Sequence, residues 1–156
     1  MLKFEQFLQD VRVEYPELKF RAGKKFMYRP PRTIMYEKQD GSEQKWCVLQ
    51  LLHELGHALS GHQDFKFDVE RVRMEREAWE KARELDVNYR QKYGAEWLEC
   101  YDEEYVEAAM DSYRDWLHRR SKCSKCGETR YQGSDGRYHC VFCENFGNES
   151  CTKGGF

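Results

Sequence analysis

The sequence predicts an α+β fold, mostly α, closed by a small cysteine-rich unit, and three observations carry that prediction. Long stretches repeat apolar residues at helical spacing, and two short β-type runs flank Arg29-Pro30-Pro31-Arg32. After Ser121 the helical period gives way to Cys, Gly and Ser. The 156 residues have room for one compact domain plus an appendage. The expected organisation is a main domain over residues 1–120, a Cys-rich unit over 121–146 and a polar, Gly-rich, flexible tail over 147–156.

Each element has its own signal. Residues 3–14 bring Phe4, Phe7, Leu8 and Val11 onto one helix face, and Pro16 ends that helix. Phe20 to Tyr28 and Thr33 to Tyr36 read as two strands, and Asp40-Gly41-Ser42 reads as a turn. A helix runs from about Gln44 to Ser60, with Gly61 as its stop. A longer one spans Val69 to Tyr93 and is halted by Gly94. A last one covers Asp102 to Arg119, striped by Val106, Ala109, Tyr113 and Trp116.

Composition narrows the function. A hydrophobic share of 40% supplies a real core, while 35% charged residues and a mean hydropathy of −0.97 describe a well-hydrated surface. The net charge of −2 gives no general pull toward nucleic acid or acidic membranes. No apolar run is long enough to cross a membrane, and Met1-Leu2-Lys3-Phe4-Glu5 does not open a signal peptide. A cytoplasmic location is expected. In that reducing setting the seven cysteines call for another explanation than disulfides. Cys47, Cys100 and Cys151 read as buried small hydrophobes or a tail thiol.

His53-Glu54-Leu55-Gly56-His57 carries the first chemistry. Positions i and i+4 share a helix face, so two imidazoles can grip one zinc while Glu54 reaches its water as general base. Val48, Leu49, Leu51, Leu52, Leu55 and Leu59 make this helix a buried one, and buried histidines need partners. A third ligand is required. On the Val69–Tyr93 helix the apolar stripe comprises Val72, Ala78, Trp79, Ala82, Tyr89 and Tyr93, and Glu75 lies in its middle. A core-facing carboxylate must be paired or metal-bound, so Glu75 is the expected ligand, with a salt bridge to a buried Arg as the competing role. Glu70, Glu77, Glu80 and Glu84 point to solvent. Asp86, on the stripe, is expected to orient a ligand histidine. His62 is the rival ligand, but five residues past His57 a straight helix turns it about 140° away, and it can swing in only if the helix breaks near Gly61. It reads as a polar residue beyond a helix C-terminus.

His53-Glu54-Leu55-Gly56-His57-Ala58-Leu59, followed by Glu75-Arg76-Glu77-Ala78 and Ala82, resembles the ImmA/IrrE-type metallopeptidases, over roughly a third of the chain. The resemblance implies a small zincin-like domain, with a short sheet, an active-site helix and following helices. It also implies hydrolysis of a protein partner such as a repressor. A short Glu-x-x-Ala pattern carries the third zinc ligand in related gluzincins, in line with Glu75. The family usually has Asn or Asp where Trp79 stands, so its usual contact behind the ligands is in question here. Tyr89 and Tyr93 are the candidates for stabilising an oxyanion, with core packing as the competing role. An edge strand such as Thr33–Tyr36 is expected to pair with substrate.

Cys123-Ser-Lys-Cys126, thirteen residues, then Cys140-Val-Phe-Cys143 is the spacing of a four-thiolate zinc ribbon. Gly133-Ser-Asp-Gly136 would turn the hairpin between the pairs. Such a site is closed and structural, so two zinc ions per chain are expected, one catalytic and one structural. From Arg119 to Phe156 seven Lys/Arg face four Asp/Glu, and four thiolates with one zinc reduce that excess to about +1. Tyr131, Tyr138, Phe142 and Phe146 suit either base stacking or a tiny core. Protein docking or a structural role is therefore favoured over nucleic-acid binding. The alternatives are an SprT-like, DNA-associated protease, whose third ligand is a distant histidine, and a non-catalytic adaptor with two structural zincs. Arg71-Val-Arg-Met-Glu-Arg and Asp102-Glu103-Glu104 read as solvated helix faces.

Overall fold

The observed fold is α+β and mostly helical. The computed structural model describes residues 2–38, 41 and 43–145. The 147–156 tail with Cys151, Phe146, and the Asp40 and Ser42 flanks of the predicted turn lie outside the described residues. The described residues fall into two compact units, one within Met1–Asp64 and Met74–Val106, the other within Phe65–Arg73 and Glu107–Phe156. The second is wider than the Cys-rich stretch beyond residue 120, because it also takes in the start of one helix and most of another.

In the first unit α1 (Phe4–Glu14) buries Phe4, Phe7, Leu8 and Val11, the face its periodicity marks. β1 (Lys19–Gly23), β2 (Met27–Arg29) and β3 (Thr33–Glu37) form one sheet in the order β1-β3-β2. The single strand expected over Phe20–Tyr28 is thus two. β1 pairs parallel to β3 and β2 antiparallel to it on the other side. The chain must leave the sheet between them, and it does so at the exposed Lys24 and Lys25. Thr33–Tyr36 is consequently central and not an edge. The sheet's free edges belong to β1 and β2.

α2 (Gln44–Leu59) is buried from Cys47 to His57 with the single exception of Gln50, its polar His53, Glu54 and His57 included. α3 (Asp68–Tyr93) follows it, and α4 (Glu103–Ser121) comes after a 3₁₀ turn over Gly94–Glu96. Phe7 meets the rings of Tyr89 at 4.9 Å and Trp97 at 5.2 Å, closing α1 onto α3. Tyr89 donates to Glu14 at 3.0 Å and Tyr93 donates to Asp10. Both tyrosines therefore fasten α3 to α1, and neither is available as an oxyanion donor. Asp86 accepts from Trp97 Nε1 at 2.9 Å and from Cys100 Sγ at 3.5 Å, so it anchors the chain after α3 and touches no histidine in the described set.

In the second unit the buried Asp68, at the start of α3, is the hub. Its N–H donates to Gln132 Oε1 at 2.7 Å, and its carboxylate accepts from Tyr138 Oη at 2.7 Å and from Arg120 Nε. Arg71, expected in a solvated charge run, instead lies over Trp116 with 4.5 Å to the ring centroid. β4 (Tyr131–Gln132) and β5 (Tyr138–His139) form the hairpin, turned where Gly136 N–H meets Gly133 O at 2.9 Å. α5 (Val141–Asn145) ends the described chain.

Candidate metal centres

The two histidines of α2 project from one face one turn apart, as i and i+4 require. What brings α3 against that face is Gly56, between them in space. A Cβ at Gly56 would stand 2.2 Å from the backbone oxygen of Ala78, so only glycine lets the two helices cross here. Ala78 is fully buried at the crossing, and Glu75 sits one turn before it on the same face.

His53, His57 and Glu75 converge accordingly. His53 Nε2 is 3.1 Å and His57 Nε2 3.4 Å from the same Glu75 oxygen, and the two nitrogens are 3.2 Å apart. Donors at 2.0–2.1 Å from a tetrahedral ion stand about 3.3 Å from one another, so this triangle has the size a metal demands. Without a cation, two imidazole nitrogens at that distance can share at most one proton. Burial alone would raise the Glu75 carboxyl, yet hydrogen bonds and charge from His53 and His57 hold it well below the usual carboxylate range. The donor set is one imidazole pair and one ionised carboxylate, competent to bind a divalent ion.

Glu54 is buried beside the pair, and its Oε2 accepts the backbone N–H of Tyr28 at 2.6 Å. Burial pushes its carboxyl above the ordinary glutamate value, with the charges of His53 and His57 pulling the other way. Tyr28 lies on the edge strand β2, and its ring stacks on His57 at 6.3 Å between centroids. Nothing in the sequence marked Tyr28, because its contribution is a main-chain N–H.

The surroundings of the pair differ from the expectation. Trp79 stacks on the His53 ring at 3.9 Å, and His53 Nδ1 finds no hydrogen-bond partner among the described residues. Trp79 thus sets an aromatic face against His53. His62 does not face away from His57: its Nδ1 is 2.9 Å from His57 Nδ1, and its Nε2 is 2.9 Å from Glu77 Oε2. Glu77, expected in solvent, is half-buried by that contact. The turn of about 140° on a straight helix does not apply, because α2 ends before His62, at the stop expected of Gly61. Gly61 is left-handed at φ +68°, with Gly61 N–H on Ala58 O and His62 N–H on His57 O, a turn that folds His62 back beneath His57.

Cys123, Cys126, Cys140 and Cys143 form the second group, all four sulfurs within 4.8 Å of one another. Cys126–Cys140 are 3.5 Å and Cys123–Cys143 3.8 Å apart, close to the roughly 3.8 Å edge of a tetrahedral four-thiolate site. No open position remains once four sulfurs bind. Tyr138 is buried, while Tyr131 and Phe142 are about half exposed, so the aromatic set is divided between packing and surface. His139 lies between Asp135 and Glu144 and is no ligand of this group. Cys47 and Cys100 are buried thiols: burial pushes Cys47 up to about 11 and Cys100 higher still. No helix of the described residues is long and apolar enough to cross a membrane. No protein-family model, curated protein or solved structure matches the chain.

Proposed function

We propose that the chain is a zinc-dependent endopeptidase of the gluzincin type, resembling the ImmA/IrrE-like peptidases, with a structural zinc ribbon formed by Cys123, Cys126, Cys140 and Cys143. The observation that carries this reading is the triangle of His53, His57 and Glu75 with Glu54 alongside. Zinc held by those three side chains would supply Lewis acidity and a water acidified toward neutrality.

Everything else is done by the chain's own groups. Glu54 takes the water's proton and returns it to the leaving amine, a dual task suited to a carboxyl raised by burial. The Tyr28 N–H keeps that carboxylate aimed. Trp79 and the apolar body of α2 exclude bulk water behind the ligands. An extended substrate segment adds alongside β2, the edge strand next to Glu54, gaining main-chain hydrogen bonds. The substrate is a protein partner, a repressor being one candidate, in the cytoplasm, where ribbon thiolates stay reduced. An SprT-like arrangement calls for a histidine as third ligand, and the carboxylate of Glu75 beside the pair favours the gluzincin one.

Metal analysis tests the assignment. Two zinc ions per chain are expected, falling to one in Glu75→Ala, and hydrolysis of an unfolded protein substrate should stop in that variant. Retention of both ions by Glu75→Ala would refute the ligand set.

A further inference from the structure

We propose that His62 and Glu77 are positioning residues that lock His57 into the tautomer able to bind metal. The proposal rests on the reading of His53, His57 and Glu75 as ligands, and concerns how one of them is prepared.

The proton order along the chain of contacts follows from its outer end. A carboxylate only accepts, so the 2.9 Å contact between Glu77 Oε2 and His62 Nε2 needs the proton on Nε2. Neutral His62 then offers a lone pair at Nδ1. His57 Nδ1, 2.9 Å from it, must carry a proton to make that contact a hydrogen bond. With Nδ1 protonated, the lone pair of His57 lies at Nε2, facing Glu75 and His53. With one proton on His62, a single tautomer of His57 satisfies the contact to His62, and it is the ligating one; its Nε2 lone pair then calls for a cation, not a proton, between it and Glu75.

His62 is equipped for this. Its side chain is 6% exposed, so water does not compete for either nitrogen, and the Gly61 turn fixes its backbone independently of the side chain. Glu77 reaches it from α3, two residues beyond Glu75, so one helix delivers both the third ligand and the outer acceptor. His53 has no counterpart. Its Nδ1 has no partner among the described residues, and its ring is held by the face of Trp79. The two histidines of one motif are thus prepared by different means, hydrogen bonding for His57 and stacking for His53.

The test uses the full chain with zinc alone as probe, titrated against a chromophoric chelator. His62→Leu should weaken the first site 10–100-fold, the range for losing a partner behind a metal ligand, while the four-cysteine site is unchanged. His62→Gln keeps an acceptor for His57 Nδ1–H and should recover part of that loss. Nitrogen-15 spectra of the zinc-loaded wild type should show a proton on His57 Nδ1 and on His62 Nε2. Wild-type zinc affinity in His62→Leu, or the opposite tautomers, would overturn the proposal. So would X-ray absorption counting three imidazoles in the wild type and two in His62→Leu, since His62 would then be a ligand. A wild type that holds zinc only through its cysteines would instead defeat the ligand reading itself.

Discussion

Gly56→Ala tests whether the helix crossing builds the first site. The new methyl carbon would stand 2.2 Å from Ala78 O, whereas ordinary contact begins near 3.4 Å, so α3 must withdraw by about 1.2 Å. The obstacle is backbone on both sides and cannot rotate away. Overpacking of this kind costs about 1–3 kcal/mol. Alanine in place of glycine inside a helix returns about 1 kcal/mol, so the metal-free protein should lose only about 0–2 kcal/mol in urea. The site should suffer far more. Metal–ligand distances tolerate about 0.2 Å, so moving Glu75 away by several times that removes it as a ligand. Zinc affinity of the first site, read by chelator competition, should fall more than about 100-fold, beyond the loss of an outer partner. The four-cysteine zinc is an internal control. First-site affinity equal to wild type in Gly56→Ala would refute the claim that this crossing sets the ligand triangle.

Three further outcomes follow from the same geometry. Cys140→Ser should release the second-unit metal and lower the chain's zinc content from two to one by elemental analysis, leaving chelator affinity at the first site intact. Asp68→Ala takes the shared acceptor from Arg120 and Tyr138 and should destabilise the second unit by about 1.5–3 kcal/mol in urea. Because Glu75 is held low in the folded, metal-free protein, its stabilising contribution is present above the unfolded carboxylate value near pH 4.3. It fades as pH falls below that value toward the folded one. Glu75→Gln should therefore flatten the acid limb of an apo-protein stability profile from about pH 5 downward, and an unchanged limb would contradict the assigned pairing.

Much of the site was legible because it obeys local periodicity. The i, i+4 histidines and the apolar stripe of α3 are helical facts, and a straight-helix count finds both His53–His57 and Glu75. The same count does not reach past the helix end. His62 lies beyond that end, as its place after Gly61 implies, but its approach to His57 depends on the left-handed turn at Gly61, which a straight-helix count does not contain. Asp86, Tyr89 and Tyr93 share the face of Glu75 but lie more than two turns along it, where α1 and Trp97 occupy that face. Periodicity reports a side, not a neighbour. The sheet order was hidden for another reason: pairing β1 and β2 on either side of β3 is a long-range choice that no local pattern records. Tyr28 acts through its N–H, which every residue but proline owns. The Gly56 crossing was visible as a letter within the motif, but its meaning needed the second helix.

The central claim is that Glu54 works on a water beside the three-ligand site, and mass-spectrometric scoring of a peptide library tests it most directly. Gln in place of Glu54 keeps an oxygen for the Tyr28 N–H and so keeps the local geometry. Zinc-loaded wild type should cleave the library, and Glu54→Gln with both zincs bound should be slower by at least about 10²–10⁴-fold, the value of a lost general base. Equal cleavage by the two proteins, or no cleavage by a wild type that carries both zincs, would contradict the account.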